Sequence, residues 1–546
     1  MVLPLRKWKH IAATFDSEKG IYLYVNGKQT GHLNATGKPA WPRKAQLRGM
    51  MNYERLKPSN IHRQHGTLPG WFSVDGLVDE VKIYDRALSG KEITKAFKAV
   101  APVNAPPLKL RQMPSGPEGP GRFGAYYCNL KYYPEWDNLW RVASDPDIVV
   151  RFDKSATRMV FWRGSRYSPA WVSENGLWMA DQSVEAWYGR PSLDNEGCFE
   201  HMQDRRCRYS HVRVIENTDA RVVVHWRYAP VSAHDHIWNE DPKTTRACWV
   251  DEYYYIYPDQ MGIRNVSWKT GTLRKAGMQF QESLPFTQPG QMVSELVPDE
   301  WCTVANLKGE THTLKYCKNP QKRKYPDNLI LQRYNFKSKN KPSIIFEKGS
   351  RMRHVSDRRY KHNADSLDIY GSCNHWPVGQ AACDGRTVQA ADRPTHCCGF
   401  PITGPPLHEK DGRSWWNGLY GMNEMSMAEL VYVAKSWNDA PDLKFSGAGA
   451  INKGYDMGQR AYIIERKENA TDSIRFDIMA SKDRPIYNPA FVIKNWDKAS
   501  LTVIIDGKKL KPGKDFRSGV YRTIDSSNVN LWIKIKSTKP ISITII

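Results

Sequence analysis

Three stretches of this chain gather the side chains that acid–base and anion chemistry require. The first, FWRGSRYSPAWVSENGLWM, runs from Phe161 to Met179. A strand is expected to end at Trp162, with an Arg-Gly loop after it. Arg163 can hold a carboxylate or sulfate through two parallel hydrogen bonds. Tyr167 can donate a proton, or accept one when ionised. Trp171 and Trp178 offer stacking surfaces, and Asn175 adds an amide. The second stretch, CFEHMQDRRCRYSH, places His201 three residues before Asp204, with Arg206 close by. A carboxylate at that spacing can orient an imidazole and set its pKa. The third, CNHWPVGQAACDGRTVQAADRPTHCC, runs from Cys373 to Cys398. There His375 is a candidate acid or base and Trp376 a stacking platform. Arg386 and Arg393 suit anionic and hydroxyl groups. A plainer reading stays open for all three: tryptophans in a core, arginines at strand ends, and structural loops.

The cysteines and histidines of the third stretch raise the question of a metal. Cys373 and His375 are two apart, Cys383 follows ten residues after Cys373, and Cys397 and Cys398 are adjacent. That spacing fits no common zinc site. No metal and no cofactor are expected, although a structural calcium would be compatible. Cys373 is instead expected to pair with Cys383. Cys302 is expected to pair with Cys317 across a hairpin turning near Lys308-Gly309. Cys198 and Cys207 are also near in sequence, and such local pairs suit an oxidising compartment.

The 546 residues exceed one ordinary core, so about two to four domains are expected. Lys and Arg number 80 against 57 Asp and Glu, a formal charge of +23. That excess implies an anionic partner. There are 20 Trp and 27 Tyr, which stack on sugar faces as readily as on bases. Zinc-finger, helix-turn-helix and RNA-recognition patterns are missing. An acidic polysaccharide is therefore preferred over nucleic acid. No apolar run is long enough for a membrane helix.

The elements that would carry these loops are mostly strands. IYLYVNGKQ closes on Asn26-Gly27, the favoured two-residue hairpin turn. GLVDEVKIYDRALSGKEI reads as a strand followed by a helix, with Ser89 as N-cap and Glu92 completing a capping box. Val100–Arg122 is rich in Pro and Gly and reads as a linker. Beyond it, DIVVRFDKSATRMVFWRG, YSHVRVIENTDARVVVHWRYAP and WVDEYYYIYPDQMGIRNVSWKTG each give two strands around a turn. No strand–helix–strand spacing appears, which argues against a doubly wound nucleotide-binding fold. No repeat of propeller-blade length appears either. MNEMSMAELVYVAKSWNDAPDL is the one good helix candidate, with Met425, Ala428, Leu430 and Val431 on one face. The fold class expected is all-β: a partial jelly roll over 1–99, a linker over 100–122, a large antiparallel β-sandwich over 123–440 and a C-terminal β-sandwich layer over 441–546.

Two resemblances bear on this reading. WKHIAATFDSEKGIYLYVNGK and VDGLVDEVKIYDRALSGKEI resemble the second half of a laminin-G-like, concanavalin-type jelly roll, over about residues 1–95. The first strands of that module are missing, and no acidic cluster suited to calcium is evident. From about Phe123 to Ile546, VFWRGSRYSPAWVSENGLW, RYSHVRVIENTDARVVVHWRYA, FQESLPFTQPG, NHWPVGQ and NPAFVIKNW together resemble the ulvan lyases of polysaccharide lyase family 40. That resemblance implies a secreted, periplasmic or cell-surface enzyme that cleaves a sulfated, uronate-containing algal polysaccharide by β-elimination. A base would remove the proton α to the uronate carboxylate, and a Tyr or His would protonate the leaving oxygen. His201, Tyr167 and His375 are the candidates. Substrate binding would fall to Arg163, Trp171, Asn175, Arg206, Trp376, Arg386 and Arg393. Glu174, Glu185 and Glu282 keep a glycoside hydrolase open, and the Trp- and Arg-rich loops would also suit a glycan-binding protein without chemistry.

Overall fold

The structure is a computed structural model. It describes residues 8–39, 51–52, 72–73, 78–100, 111–132, 145–181, 184–188, 196–204, 207–232, 234–269, 277–279, 283–289, 291, 293–315, 325–350, 394–396, 408–467, 473–496, 498, 500–524 and 526–546. The chain forms two compact units, Met1–Arg55 with Trp71–Gln112, and Leu56–Gly70 with Met113–Ile546.

In the first unit the strands Ile11–Asp16, Gly20–Val25 and Lys28–Leu33 form an antiparallel sheet. Asn26 and Gly27 both take positive φ, 49° and 73°, as a tight hairpin turn requires. The helix Gly90–Val100 is capped as its sequence predicts: the Ser89 backbone N–H donates to Glu92 Oε2 at 2.7 Å, and Glu92 N–H returns to Ser89 Oγ at 3.3 Å. The strand expected just before this helix does not form among the described residues. Val81 and Ile83 are 73% and 68% exposed and pair with nothing described. Alternation alone makes no strand when no neighbour supplies the ladder.

The second unit is built on two large antiparallel sheets. One has seven strands, in the order Thr395–His396, Ser283–Thr287, Trp178–Asp181, Pro169–Val172, Ser155–Phe161, Asp147–Phe152 and Gly124–Cys128. The other has ten. Its order runs from Ser210–Asn217 through Val222–Tyr228, Val250–Tyr257, Met261–Trp268 and Arg413–Asn423 to Lys341–Phe346, Leu329–Tyr334, Cys302–Asn306 and Thr311–Leu314. His408–Lys410 also pairs with Arg413–Asn423. Ile148, Val150, Met159 and Phe161 of the first sheet share one core with Val224, Trp226, Val250 and Ile256 of the second. That is the sandwich the sequence pattern implied.

The helix Met427–Asn438 packs on the strands Leu329–Tyr334 and Cys302–Asn306. Its capping box joins Ser426 and Glu429. Its buried residues are Leu430, Val431, Val433, Ala434 and Trp437; Ala428, expected with Leu430 and Val431, is exposed. Two five-stranded sheets close over a separate C-terminal core that includes Ile464, Phe476, Phe491, Val503, Leu531 and Ile543. Within them Ala461–Arg466 and Ala490–Lys494 run parallel.

The disulfide expected at Cys302 is not formed. Cys302 is a free, fully buried thiol. The hairpin turn does fall at Lys308-Gly309, and its register sets Leu314 opposite Cys302, three positions short of Cys317. Cys317 itself lies outside the described residues. Cys198 and Cys207 are likewise thiols, donating to Glu185 Oε1 at 2.7 Å and facing the Ser210 carbonyl at 3.8 Å. The expected Cys373–Cys383 pair lies outside the described residues.

Candidate functional site

Side chains alternate between the two faces of a strand. In Val222–Tyr228, the residues Val222, Val224, Trp226 and Tyr228 enter the shared core, so His225 and Arg227 emerge on the opposite face. Strand register then aligns two rows across that outer face. One runs His211, Arg227, Asp251, Ser267, Trp415 and His408. The other runs Arg213, His225, Tyr253, Asn265 and Asn417. Six strands at about 4.8 Å spacing make the first row roughly 24 Å long.

The centre of these rows is a histidine–carboxylate pair. His225 Nε2 lies 2.9 Å from Asp251 Oδ1, and Arg213 Nε donates to His225 Nδ1 at 3.3 Å. An arginine donor on Nδ1 leaves the ring proton on Nε2, pointing at the carboxylate. The imidazole stacks on Tyr253, with ring centres 4.4 Å apart and planes 8° from parallel. Arg227 Nη1 donates to both Asp251 oxygens, at 2.8 and 3.1 Å, and Arg413 lies 3.9 Å away. Burial alone would raise the pKa of Asp251. The His225 hydrogen bond and the Arg227 charge outweigh it and hold the carboxyl below its ordinary range.

Half-buried aromatics extend the strip. Arg227 lies over the Trp249 ring at 5.2 Å, and Tyr209 meets Trp249 edge-on. Arg208 lies over Tyr209 at 5.1 Å. At the other side His408 stacks on Trp415, and its Nε2 lies 2.6 Å from Glu347 Oε2. One margin is set by the turn Asp456–Arg460 of the C-terminal sandwich. A Cβ on Gly458 would fall 3.1 Å from Asn265 Nδ2 and from Asn417 Oδ1, so a larger residue there would press those amides back by a few tenths of an ångström.

Beneath the strip, on the core face, Arg264 is held between two carboxylates. Its Nε and Nη2 each donate to Glu252 at 2.8 Å, and Nη1 donates to Asp181 Oδ2 at 2.8 Å. Tyr228 and Tyr254 donate to Glu252, and Tyr420 donates to Asp181. One guanidinium faces two carboxylates here. Burial, together with the nearby Glu252 charge, raises the pKa of Asp181 to about 6 against the opposing pull of Arg264.

The residues named from sequence lie elsewhere. His201 is fully buried, edge-on to Trp226 at 5.1 Å and to Tyr228 at 5.9 Å. Tyr167 is 6% exposed, at a positive φ of 63°, and burial drives its phenol pKa strongly up. The two loops do meet: Arg166 Nε donates to the Asp204 carbonyl at 3.3 Å, and the Cys207 thiol feels both Arg163 and Arg166. His201 is closed off from solvent, and Tyr167, 6% exposed, is as buried as His225, 5% exposed. Trp171 packs in the core against Phe152, 6.0 Å between ring centres. Asn175 is exposed and ties its loop to the Lys337 carbonyl. Arg163 is half-buried, its backbone N–H on Asp147. Arg206, His375, Trp376, Arg386 and Arg393 lie outside the described residues.

Of the carboxylates considered for hydrolysis, Glu174 is engaged by Lys339 and Asn340, and Glu185 by Cys198. Glu282 is outside the described residues. Glu185, Cys198 and Glu200 have ligand atoms within 4.8 Å of one another, the one such grouping among the described residues. His225, Asp251 and Tyr253 were missed from sequence. Their signal was present in VVVHWRY and VDEYYYIY, where His, Arg, Asp and Tyr fall at every second position.

Comparison with known proteins places one part of the chain. Residues 1–94 match the family model Laminin_G_3, described as the concanavalin A-like lectin/glucanases superfamily. No curated protein matches the chain. Among solved structures, galactose 1-epimerase from Lactobacillus acidophilus NCFM aligns at 8% identity and a TM-score of 0.27, covering 55% of this chain and 99% of that one. An alpha-mannosidase from Enterococcus faecalis V583 aligns at 7% identity and a TM-score of 0.27, covering 71% of this chain and 42% of that one. A protein in glycosyl hydrolase family 38 from Enterococcus faecalis aligns at 7% and 0.25, covering 61% and 41%. At such scores these likenesses bear on no activity of this chain. No helix among the described residues is long and apolar enough to cross a membrane.

Proposed function

We propose that this chain is a lyase that cleaves an acidic, uronate-containing and sulfated polysaccharide, such as ulvan, by β-elimination on the outer face around His225. The observation that carries the reading is the His225–Asp251 pair, stacked on Tyr253 on the sheet face turned away from the shared core; the pair is 5% and 9% exposed, and the exposed Arg213 and Arg227 border it. A long row of exposed arginines and half-buried aromatics suits an extended polymer better than a closed pocket does.

In this reading the substrate carboxylate draws the exposed Arg213 to itself. That frees Nδ1 of His225 to act as base while Arg213 stabilises the charge developing on the carboxylate. Nδ1 takes the proton α to the carboxylate. The C–H electrons form the ring double bond, and the bond to the glycosidic oxygen breaks. Tyr253 protonates that oxygen and is reprotonated afterwards. Asp251 holds the imidazole in place and stabilises its charged form. Trp249, Trp415 and Tyr209 would support sugar faces, and Arg227 and Arg413 would attract sulfates. Hydrolysis is less well served. It needs two carboxyl groups flanking one bond, whereas Asp251 here is held by cations and Glu347 by His408 and the Asn417 N–H. An enzyme for such a polymer works outside the cell, so secretion or cell-surface placement belongs to the same proposal.

A second reading, glycan binding without chemistry, is favoured by one fact: both nitrogens of His225 are engaged. One experiment separates the three classes. The protein is incubated with ulvan and other uronate polymers, and products are followed by the ultraviolet absorbance of an unsaturated uronate and by reducing ends. Elimination gives both signals, hydrolysis only the second, and binding neither.

A further inference from the structure

The second unit contains a cavity of about 370 Å³ where the turns Asp153-Lys154 and Pro258–Gln260 meet the C-terminal sandwich. Its volume lies within the range of small-ligand sites. It opens at the far end of the strand that carries Asp251 and Tyr253. Pro258 is five residues beyond Tyr253, roughly 17 Å along the strand. The turn Asp456–Arg460 crosses the face between them, with the Gln459 carbonyl accepting from Tyr257 at 2.6 Å.

The charges in its wall do not cancel. Every acid there is engaged: Asp153 by Arg517 at 2.7 Å, Asp259 by Arg460 at 2.7 Å, Glu424 by Lys339 at 3.0 Å and Glu429 by Lys536 at 3.4 Å. Lys154, Lys514 and Lys534 line the same cavity and have no acidic partner among the described residues. Amide donors lie beside them. Gln260 spends its oxygen on Thr157, and Asn423, 5% exposed, has an Nδ2 with no acceptor among the described residues. Tyr487 and Trp532 contribute aromatic wall. Three uncompensated ammonium groups, amide donors and aromatic surface suit an occupant rich in anionic and hydroxyl oxygens.

We infer that this cavity is a second binding site, separate from the His225 strip, for an anionic saccharide unit. The inference rests on reading the partner as an acidic glycan. Its role would be to anchor the polymer at a distance from the reacting bond, where compact ammonium groups serve as point charges for sulfate or carboxylate.

The test uses the full chain and ulvan oligosaccharides, with inorganic sulfate as the simple-anion control. Binding is measured by calorimetry for wild type, for Lys154→Gln/Lys514→Gln/Lys534→Gln, and for Arg213→Gln/His225→Ala. The inference expects two classes of site in wild type. The lysine variant should weaken one class by roughly tenfold or more, with the fold unchanged by circular dichroism and elimination of short oligosaccharides retained. The strip variant should lose the other class. If the lysine variant keeps both classes, or if inorganic sulfate alone reproduces the heat of the cavity class, the second site is overturned and the lyase reading stands. If wild type binds no acidic oligosaccharide, both fall together.

Discussion

His225 owes its properties to neighbours three strands wide. Asp251 fixes its tautomer, Tyr253 fixes its plane, and Arg213 caps the nitrogen that would do chemistry. None of these is its neighbour in sequence, which is why a reading by local clusters settled on His201 and Tyr167 instead. Those two sit in segments dense with charge and aromatic groups, and that density was accurately read. What could not be read was the direction of each side chain. His201 and Tyr167 turn inward, and burial makes ionisation of the phenol unfavourable. Asp181 gives a sharper residue-level prediction. Its folded pKa is raised to about 6, so between about pH 4 and pH 6 the folded chain keeps a proton that the unfolded chain has released. Stability therefore falls as pH rises through that window, by on the order of 3 kcal/mol from this group. Asp181→Asn should remove that component. Urea unfolding at steps across the window should show the gap between wild type and variant changing with pH. A constant gap would contradict the raised pKa.

The elements were read most reliably where turn chemistry is local. Asn26-Gly27, Pro258-Asp259 and the Ser89–Glu92 capping box each specify their geometry within four residues, and each stands as expected. Two expectations failed where the outcome depends on a distant partner. The segment around Val81 alternates like a strand but finds no described neighbour. The Cys302 hairpin turns as foreseen, yet its register opposes Cys302 with Leu314. The turn Asp456–Arg460 is a long-range element of the same kind. It belongs to the C-terminal sandwich and settles on Asn265 and Asn417 of the central sheet through Gly458. Gly458→Ala places a methyl 3.1 Å from two amide atoms. It should cost roughly 1–2 kcal/mol, as overpacked positions do, measurable by chemical denaturation. A neutral or stabilised variant would mean that the turn stands further from the sheet than described.

For the molecule as a whole, alternation pointed to an all-β chain and a resemblance over the first residues pointed to a laminin-G-like module; the all-β fold is found, and residues 1–94 match that family model. Which face of the central sheet carries the site was out of reach. The strand VDEYYYIY carries polar or aromatic groups on both sides, and only the second sheet decides that Glu252 faces the shared core and Asp251 the opposite face. The net charge of +23 and the arginines of the strip make a whole-molecule prediction. Affinity for an acidic glycan should fall steeply as salt rises and the screening length shrinks; retention on immobilised ulvan that ignores salt would contradict an electrostatic strip. The most direct test is the rate of unsaturated-product formation from ulvan by wild type, His225→Ala and Tyr253→Phe, each first checked for an intact fold. The account predicts elimination by wild type and a loss of roughly 10²–10⁴-fold in kcat for either variant, the usual worth of a positioned acid or base. Elimination at wild-type rates by both variants would contradict it.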